Sequence, residues 1–168
     1  MPAKTIRYDS PSMDMLIRED DLRGPEIAEL LQAHLDFAAA HSPLESIHAL
    51  DLDRLRVPGI TFWTVWVNGE LAGCGALREV SPDHGEIKSM HTAARYRGKG
   101  VVARIVGHIL DEARTRGYRR VSLETGTAAA FAPARALYGR FGFSVCPAFG
   151  PYRNDDPNSL CMTLALEG

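Results

Sequence analysis

Residues 85–117, GEIKSMHTAARYRGKGVVARIVGHILDEARTRG, read as a strand, a basic glycine loop and an amphipathic helix in unbroken succession. In the first part the β-compatible Ile87, Met90 and Thr92 alternate imperfectly with polar residues, the pattern of a strand that carries a bulge. The loop is Arg95-Tyr96-Arg97-Gly98-Lys99-Gly100. Beyond it Val101, Val102, Ile105, Val106, Ile109, Leu110 and Ala113 recur at the spacing of one buried helical face. Arg104, Asp111, Glu112, Arg114 and Arg116 take the wet side, and Gly117 supplies a left-handed stop.

A strand that passes through glycines into a helix offers an anion the unpaired backbone N–H groups of the first helical turn. Gly98 and Gly100 let a phosphate approach the backbone closely, and Arg97 and Lys99 add positive charge. The glycines alone leave two readings open, a phosphate site and a basic helix cap on a solvated surface. Two familiar phosphate loops are excluded. A Walker loop requires Ser or Thr after Gly-Lys, where this chain has Gly100, and the dinucleotide fingerprint requires glycine at position 103, which is alanine.

The stretch resembles motif A of the GNAT superfamily of acetyl-CoA-dependent N-acetyltransferases, spelled Arg/Gln-x-x-Gly-x-Gly/Ala. Arg97, Gly98, Lys99, Gly100 and Val101 match, while Val102 stands where the family has a small residue; a second register through Arg95, Gly98 and Gly100 also fits. Downstream, Ala132-Pro133-Ala134-Arg135-Ala136-Leu137-Tyr138-Gly139-Arg140-Phe141-Gly142-Phe143 resembles the family's A-x-x-L-Y-x-x-x-G-F helix and following strand. Pro133 suits a first helical turn, Ala134, Leu137, Tyr138 and Phe141 form an apolar stripe, and Gly142 ends the helix. Read alone, Tyr138 is a core aromatic with a wet hydroxyl. The resemblance makes it the proton donor to a leaving thiolate.

Composition bounds the remaining possibilities. A chain of 168 residues with 45% hydrophobic content has the size of one domain with a true core. We expect that domain to span residues 15–168, preceded by a flexible, polar N-terminal extension over residues 1–14. A formal net charge of -2 and a short basic loop argue against nucleic acid as a partner. Cys74, Cys146 and Cys161 are odd in number and widely spaced, fitting core residues in a reducing cytoplasm better than a disulfide framework or a zinc site. No apolar run reaches membrane-spanning length, so no membrane partner is expected. His34, His41 and His48 recur at intervals of seven, but Pro43 interrupts the helix that would align them, and no metal is expected.

In chain order, Leu16 and Ile17 begin a strand, and Gly24-Pro25 opens a helix with an apolar stripe of Ile27, Leu30, Leu31, Leu35 and Ala38 that ends near His41. Ser42-Pro43-Leu44-Glu45 has the spelling of a capping box, which predicts a second, shorter helix carrying Ile47 and Leu50. Ile60 to Val67 and Leu71 to Val80 flank the hairpin signal Asn68-Gly69. Val121, Leu123 and Thr125 form the strand after the long helix, making a parallel βαβ unit. Phe143 to Val145 and Leu160 to Leu166 close the chain around a proline-rich loop. The expected fold is α/β: a mixed, mostly antiparallel central sheet with one splayed parallel pair and helices on both faces, as in GNAT enzymes.

The resemblance implies acetyl-CoA as co-substrate, its pantetheine arm bonded to Met90, His91 and Thr92 and its pyrophosphate held by the loop from Arg95 through Arg97, Gly98, Lys99 and Gly100 to Val101. An amine then attacks the thioester directly in a ternary complex, a backbone N–H near Met90 meets the oxyanion, and Tyr138 meets the thiolate. The attacking amine must lose a proton. Glu86 at the start of the central strand is the expected base, with His91 as its rival; a Glu86 paired on the surface with Lys88 or Arg78 is the alternative. His41, Ser42 and Tyr152 are the expected acceptor residues, on segments where family members shape that pocket or close it. The acceptor is expected to be a small-molecule amine, with a protein or peptide amine and a non-catalytic acyl-CoA-binding domain as alternatives. A homodimer would be unsurprising for the family.

Overall fold

The computed structural model describes residues 14–167, so the expected N-terminal extension lies outside the described residues but for Asp14. Seven strands form one sheet: β1 (Met15–Glu19), β2 (Ile60–Val67), β3 (Glu70–Ser81), β4 (His84–Thr92), β5 (Arg120–Gly126), β6 (Ser144–Cys146) and β7 (Ser159–Ala165). The helices are α1 (Pro25–His41), α2 (Leu52–Leu55), α3 (Val101–Thr115) and α4 (Ala132–Arg140). Spatial order is β1-β2-β3-β4-β5-β7-β6. Every neighbouring pair is antiparallel except β4 and β5, whose strands are joined through α3 and run parallel. This is the mixed sheet with a single parallel pair that the strand-glycine-helix stretch predicts.

Alternating side chains give the sheet two apolar faces. Trp63, Val65 and Val67 of β2 join Ile105, Val106, Ile109 and Leu110 of α3 in one cluster, which also takes in Tyr138 of α4. Phe62, Cys74 and Ala76 turn the other way and meet Ile27, Leu30 and Leu31 of α1. Helices therefore cover both faces. The hairpin between β2 and β3 turns on Asn68 at φ 50° and Gly69 at φ 80°, the left-handed pair that suits a tight reversal between twisted strands.

The predicted bulge lies in β4. Cys74 pairs with His91 and Ala76 with Lys88, so Ser89 and Met90 together oppose Gly75, and Ser89 takes φ 55°. Gly75 gives Met90 room, because a Cβ there would sit 2.3 Å from the Met90 sulfur and force that side chain to move. The bulge re-aims the end of the strand just where its second neighbour departs. The β4–β5 ladder begins at His84–Arg120 and stops at Ile87–Leu123, although β4 continues to Thr92 and β5 to Gly126.

The second helix departs from its expectation. Ser42 is the C-cap of α1, its N–H bonded to the Ala38 carbonyl at 3.0 Å, and its side chain caps no helix after it. Leu44–Ser46 makes one 3-10 turn without a side-chain cap, the chain extends at Ile47, and the α-helix forms only at Leu52–Leu55, where the Asp51 carboxylate accepts from the Arg54 N–H at 3.0 Å. Of the three cysteines, Cys74 and Cys161 are buried as expected, whereas Cys146 is half-buried on the edge strand.

Candidate active site

The gap between β4 and β5 opens into a cleft of about 830 Å³ that reaches from the glycine loop to the segment after α1. Gly98 and Gly100 sit at φ 74° and 84°, and Gly100 is the N-cap of α3 with no side chain capping it. The first helical turn therefore presents backbone N–H groups to the cleft, beside Arg97, Gly98, Gly100 and Val101, which line it. Arg95 does not line the cleft: its guanidinium pairs with Glu70 at 2.6 Å, and the Tyr96 hydroxyl donates to the same carboxylate at 2.5 Å. Lys99 also stands off the wall, its ammonium 5.7 Å from the centre of the Tyr96 ring. Arg97 turns inward over the Phe37 ring.

Met90, His91 and Thr92 all line the cleft along the unpaired stretch of β4. The buried hydroxyls of Ser89 and Thr92 have no hydrogen-bond partner among the described residues. Unmet donors and acceptors beside a strand edge with no neighbour suit a ligand that carries amide groups of its own. Tyr138 closes the α3 side of the gap; it is buried, its ring stands edge-on to Phe143, and burial raises its hydroxyl above the ordinary tyrosine range.

On the α1 side the wall is aromatic and basic. His34 and His91 approach with their Nδ1 atoms 3.2 Å apart, and both are lowered to about 4, His34 by burial and then by His91, His91 by burial and then by Arg97. Phe37 packs edge-on to Phe131 at 5.5 Å. Ser42 lines the cleft, while His41 lies outside the wall, its ring tilted against Phe37 at 4.5 Å. Tyr152 lines the cleft, and His48 stands perpendicular to its ring at 4.9 Å. The Ser46 hydroxyl donates to Asp156 at 3.0 Å, tying the segment after α1 to the late loop.

Glu86 is fully buried and does not line the cleft. It lies 3.4 Å from Arg78 and 3.5 Å from Lys88, and it accepts the Tyr152 hydroxyl. Both pairings weighed as the non-catalytic alternative are thus present, although in the interior rather than on the surface. Sequence reasoning passed over Glu124. It lines the cleft just past the last β4–β5 pair, its Oε1 accepts from the Ser159 hydroxyl at 2.9 Å, and burial raises it to about 7. The available signal was its alternation with Val121 and Leu123, which places it on the opposite face of β5 from those core residues.

Comparison with known proteins points to one family. The Acetyltransferase (GNAT) family matches residues 25–143. The chain is 53% identical over 152 residues to an uncharacterized N-acetyltransferase, YsnE, of Bacillus subtilis, covering 90% of this chain and 100% of that one. It is 36% identical to an IAA acetyltransferase of Azospirillum brasilense over 99% of this chain and 100% of the other. Among solved structures, an acyl-CoA N-acyltransferase assignment from Klebsiella pneumoniae superposes with a TM-score of 0.77 at 27% identity, covering 91% of this chain and 98% of that one.

Proposed function

The chain belongs to the GNAT acetyltransferase family, and from that premise we propose that it moves the acetyl group of acetyl-CoA to the primary amine of a small molecule by direct attack in a ternary complex. The observation that carries this reading is the cleft through the β4–β5 gap, which meets the glycine loop at one end and an aromatic pocket at the other. Arg97, the glycine loop and the first turn of α3 hold the pyrophosphate. The free edge of β4 from Met90 to Thr92 holds the pantetheine amides.

The two substrates then approach from opposite faces of the sheet. An amine on the α1 face attacks the thioester carbon; the C–N bond forms, the C–S bond breaks, and the oxyanion between these events is stabilised by a backbone N–H near Met90. Tyr138, on the α3 face, gives its proton to the departing thiolate. A phenol in the cleft wall that burial holds in its protonated form suits that task and favours an enzyme over a domain that only binds acyl-CoA.

A small acceptor is favoured over a peptide by the far end of the cleft. There Ser46 bonds Asp156 and His48 packs on Tyr152, so the two segments meet rather than leave an open groove for a chain to cross. Calorimetry with acetyl-CoA, followed by CoA release against a panel of amines in the same preparation, tests the reading. Release stimulated by one class of small amine supports it. Tight binding without release across the panel favours the binding domain, and release with peptide amines alone favours the protein acetyltransferase.

A further inference from the structure

Among the described residues that wall the cleft, Glu124 is the one carboxylate. Its position follows from register. Glu86 and Lys88 pair with Arg78 and Ala76 of β3, and Ala76 packs into the α1 cluster, so these side chains face α1. In the parallel ladder Glu86 stands opposite Ser122, whose hydroxyl bonds His84 at 2.7 Å on that same face. Glu124, two residues on, shares the face of Ser122. Leu123 and Tyr138 belong to the α3 cluster. Glu124 and Tyr138 therefore stand on opposite faces of the gap at which the thioester is exposed.

We propose that Glu124 receives the ammonium group of the acceptor and takes the proton it must lose before attack. This rests on the acetyl-transfer reading and names the residue that opens the reaction. One oxygen is fixed by Ser159 and the other has no bonded partner among the described residues, which leaves it for an N–H donor. Glu86 cannot serve in the same way, because Arg78, Lys88 and Tyr152 already surround it behind the wall. One proton moves from the ammonium to the Glu124 carboxylate, the freed nitrogen lone pair forms the C–N bond, and the tetrahedral centre collapses with loss of the thiolate, which Tyr138 protonates. The second nitrogen proton, shed as the amide forms, restores the Tyr138 phenol through solvent, and Glu124 passes its own proton to solvent. Lys88 and Glu86 of β4, Ser159 of β7 and Asp156 of the late loop are the charged and polar groups that act on Glu124. Lys88 and Ser159 favour its ionised form, Glu86 and Asp156 its protonated form, and burial outweighs them all.

The test uses the full chain and the variants Glu124→Gln, Glu124→Asp and Ser159→Ala, with CoA release measured against the proteinogenic α-amino acids, aliphatic polyamines and amino sugars. For the best acceptor, wild-type kcat/KM should rise with pH along a limb centred near 7. Glu124→Gln should lower it about 100-fold and erase that limb while acetyl-CoA affinity by calorimetry is unchanged. Glu124→Asp should keep the limb, and Ser159→Ala should move it to higher pH, a shift that a merely structural role would not produce. A wild-type enzyme that turns over while Glu124→Gln retains both rate and limb overturns the proposal and leaves the acetyl-transfer reading standing. Should no amine release CoA, that reading fails and the role of Glu124 falls with it, an outcome distinct from an active enzyme that does not need Glu124. In an enzyme that turns over, the Glu124 side-chain carboxyl ¹³C resonance, assigned by its loss in Glu124→Gln, is a second readout: titration near 7 agrees with the proposal, and titration in the ordinary glutamate range overturns it.

Discussion

The Tyr152 hydroxyl donates to the buried Glu86 carboxylate and accepts from the Lys88 ammonium at 2.8 Å, so one phenol links a carboxylate and a cation across a distance of 66 residues in sequence. Glu86 Oε1 already lacks a hydrogen bond among the described residues, although Arg78 lies 3.4 Å away. Tyr152→Phe removes one of the few donors this carboxylate has. Because the lost bond is to a charged, buried group, the variant should lose roughly 1.5–3 kcal/mol, read as a lower urea midpoint at unchanged slope. Acetyl-CoA affinity should stay as it was, since the glycine loop lies at the other end of the cleft. An unchanged midpoint would mean that Arg78 and Lys88 suffice for Glu86.

Tyr138→Phe separates chemistry from packing at the other face. The ring, packed edge-on to Phe143, remains in place, and only the hydroxyl is lost. Stability and acetyl-CoA affinity should therefore change little, while turnover should fall about 100-fold if the hydroxyl protonates the thiolate. Full turnover in the variant would sink that role and leave solvent as the proton source.

The strand, glycine loop and long helix of residues 85–117 were legible because the change of period, the two glycines and the buried stripe of α3 are all local signals. What resisted reading depended on partners distant in sequence. Two registers of the basic loop fitted equally well until Glu70 of β3 claimed Arg95 and left Arg97 to the cleft. The segment after α1 carried a capping-box spelling, but Ser42 ends the preceding helix and the chain after it makes only one 3-10 turn before it extends. Glu86 drew attention as the carboxylate at the start of the central strand, yet its depth depends on the late loop folding Tyr152 over it. Glu124 had no motif to mark it, only the alternation of β5 and the point where the parallel ladder stops.

Gly100 lies at φ 84° with no heavy atom of the described residues within 4 Å of the position a Cβ would take, so backbone strain rather than collision limits what can replace it. Gly100→Ala should cost about 1 kcal/mol of stability for a left-handed non-glycine residue. Gly100→Asp adds a carboxylate at the N-cap of α3, where an aspartate side chain is itself a good cap and would occupy the N–H groups meant for phosphate. The aspartate variant should fold and yet lose acetyl-CoA binding by calorimetry, with the alanine variant weakened far less. Equal affinities in wild type and the aspartate variant would remove the glycine loop from the binding site.

The His34–His91 pair predicts an acid limit to stability. Both rings are held near 4 in the folded chain, against an ordinary value of 6.5, mainly because burial disfavours the imidazolium. Between these values the unfolded chain binds protons that the folded chain does not, so the stabilisation is complete above about pH 6.5 and is lost as pH falls toward 4. For His34 alone the loss is on the order of 3 kcal/mol at 1.36 kcal/mol per pKa unit. Glu124 acts in the opposite sense over an overlapping range, since a carboxyl raised to about 7 favours the folded chain at low pH. The comparison is therefore between wild type and His34→Gln, which leaves Glu124 in place. From pH 7 to pH 4, the wild type should lose more unfolding free energy than the variant by close to the His34 contribution. Parallel pH curves for the two proteins would show that His34 titrates normally and that the pair is open to water.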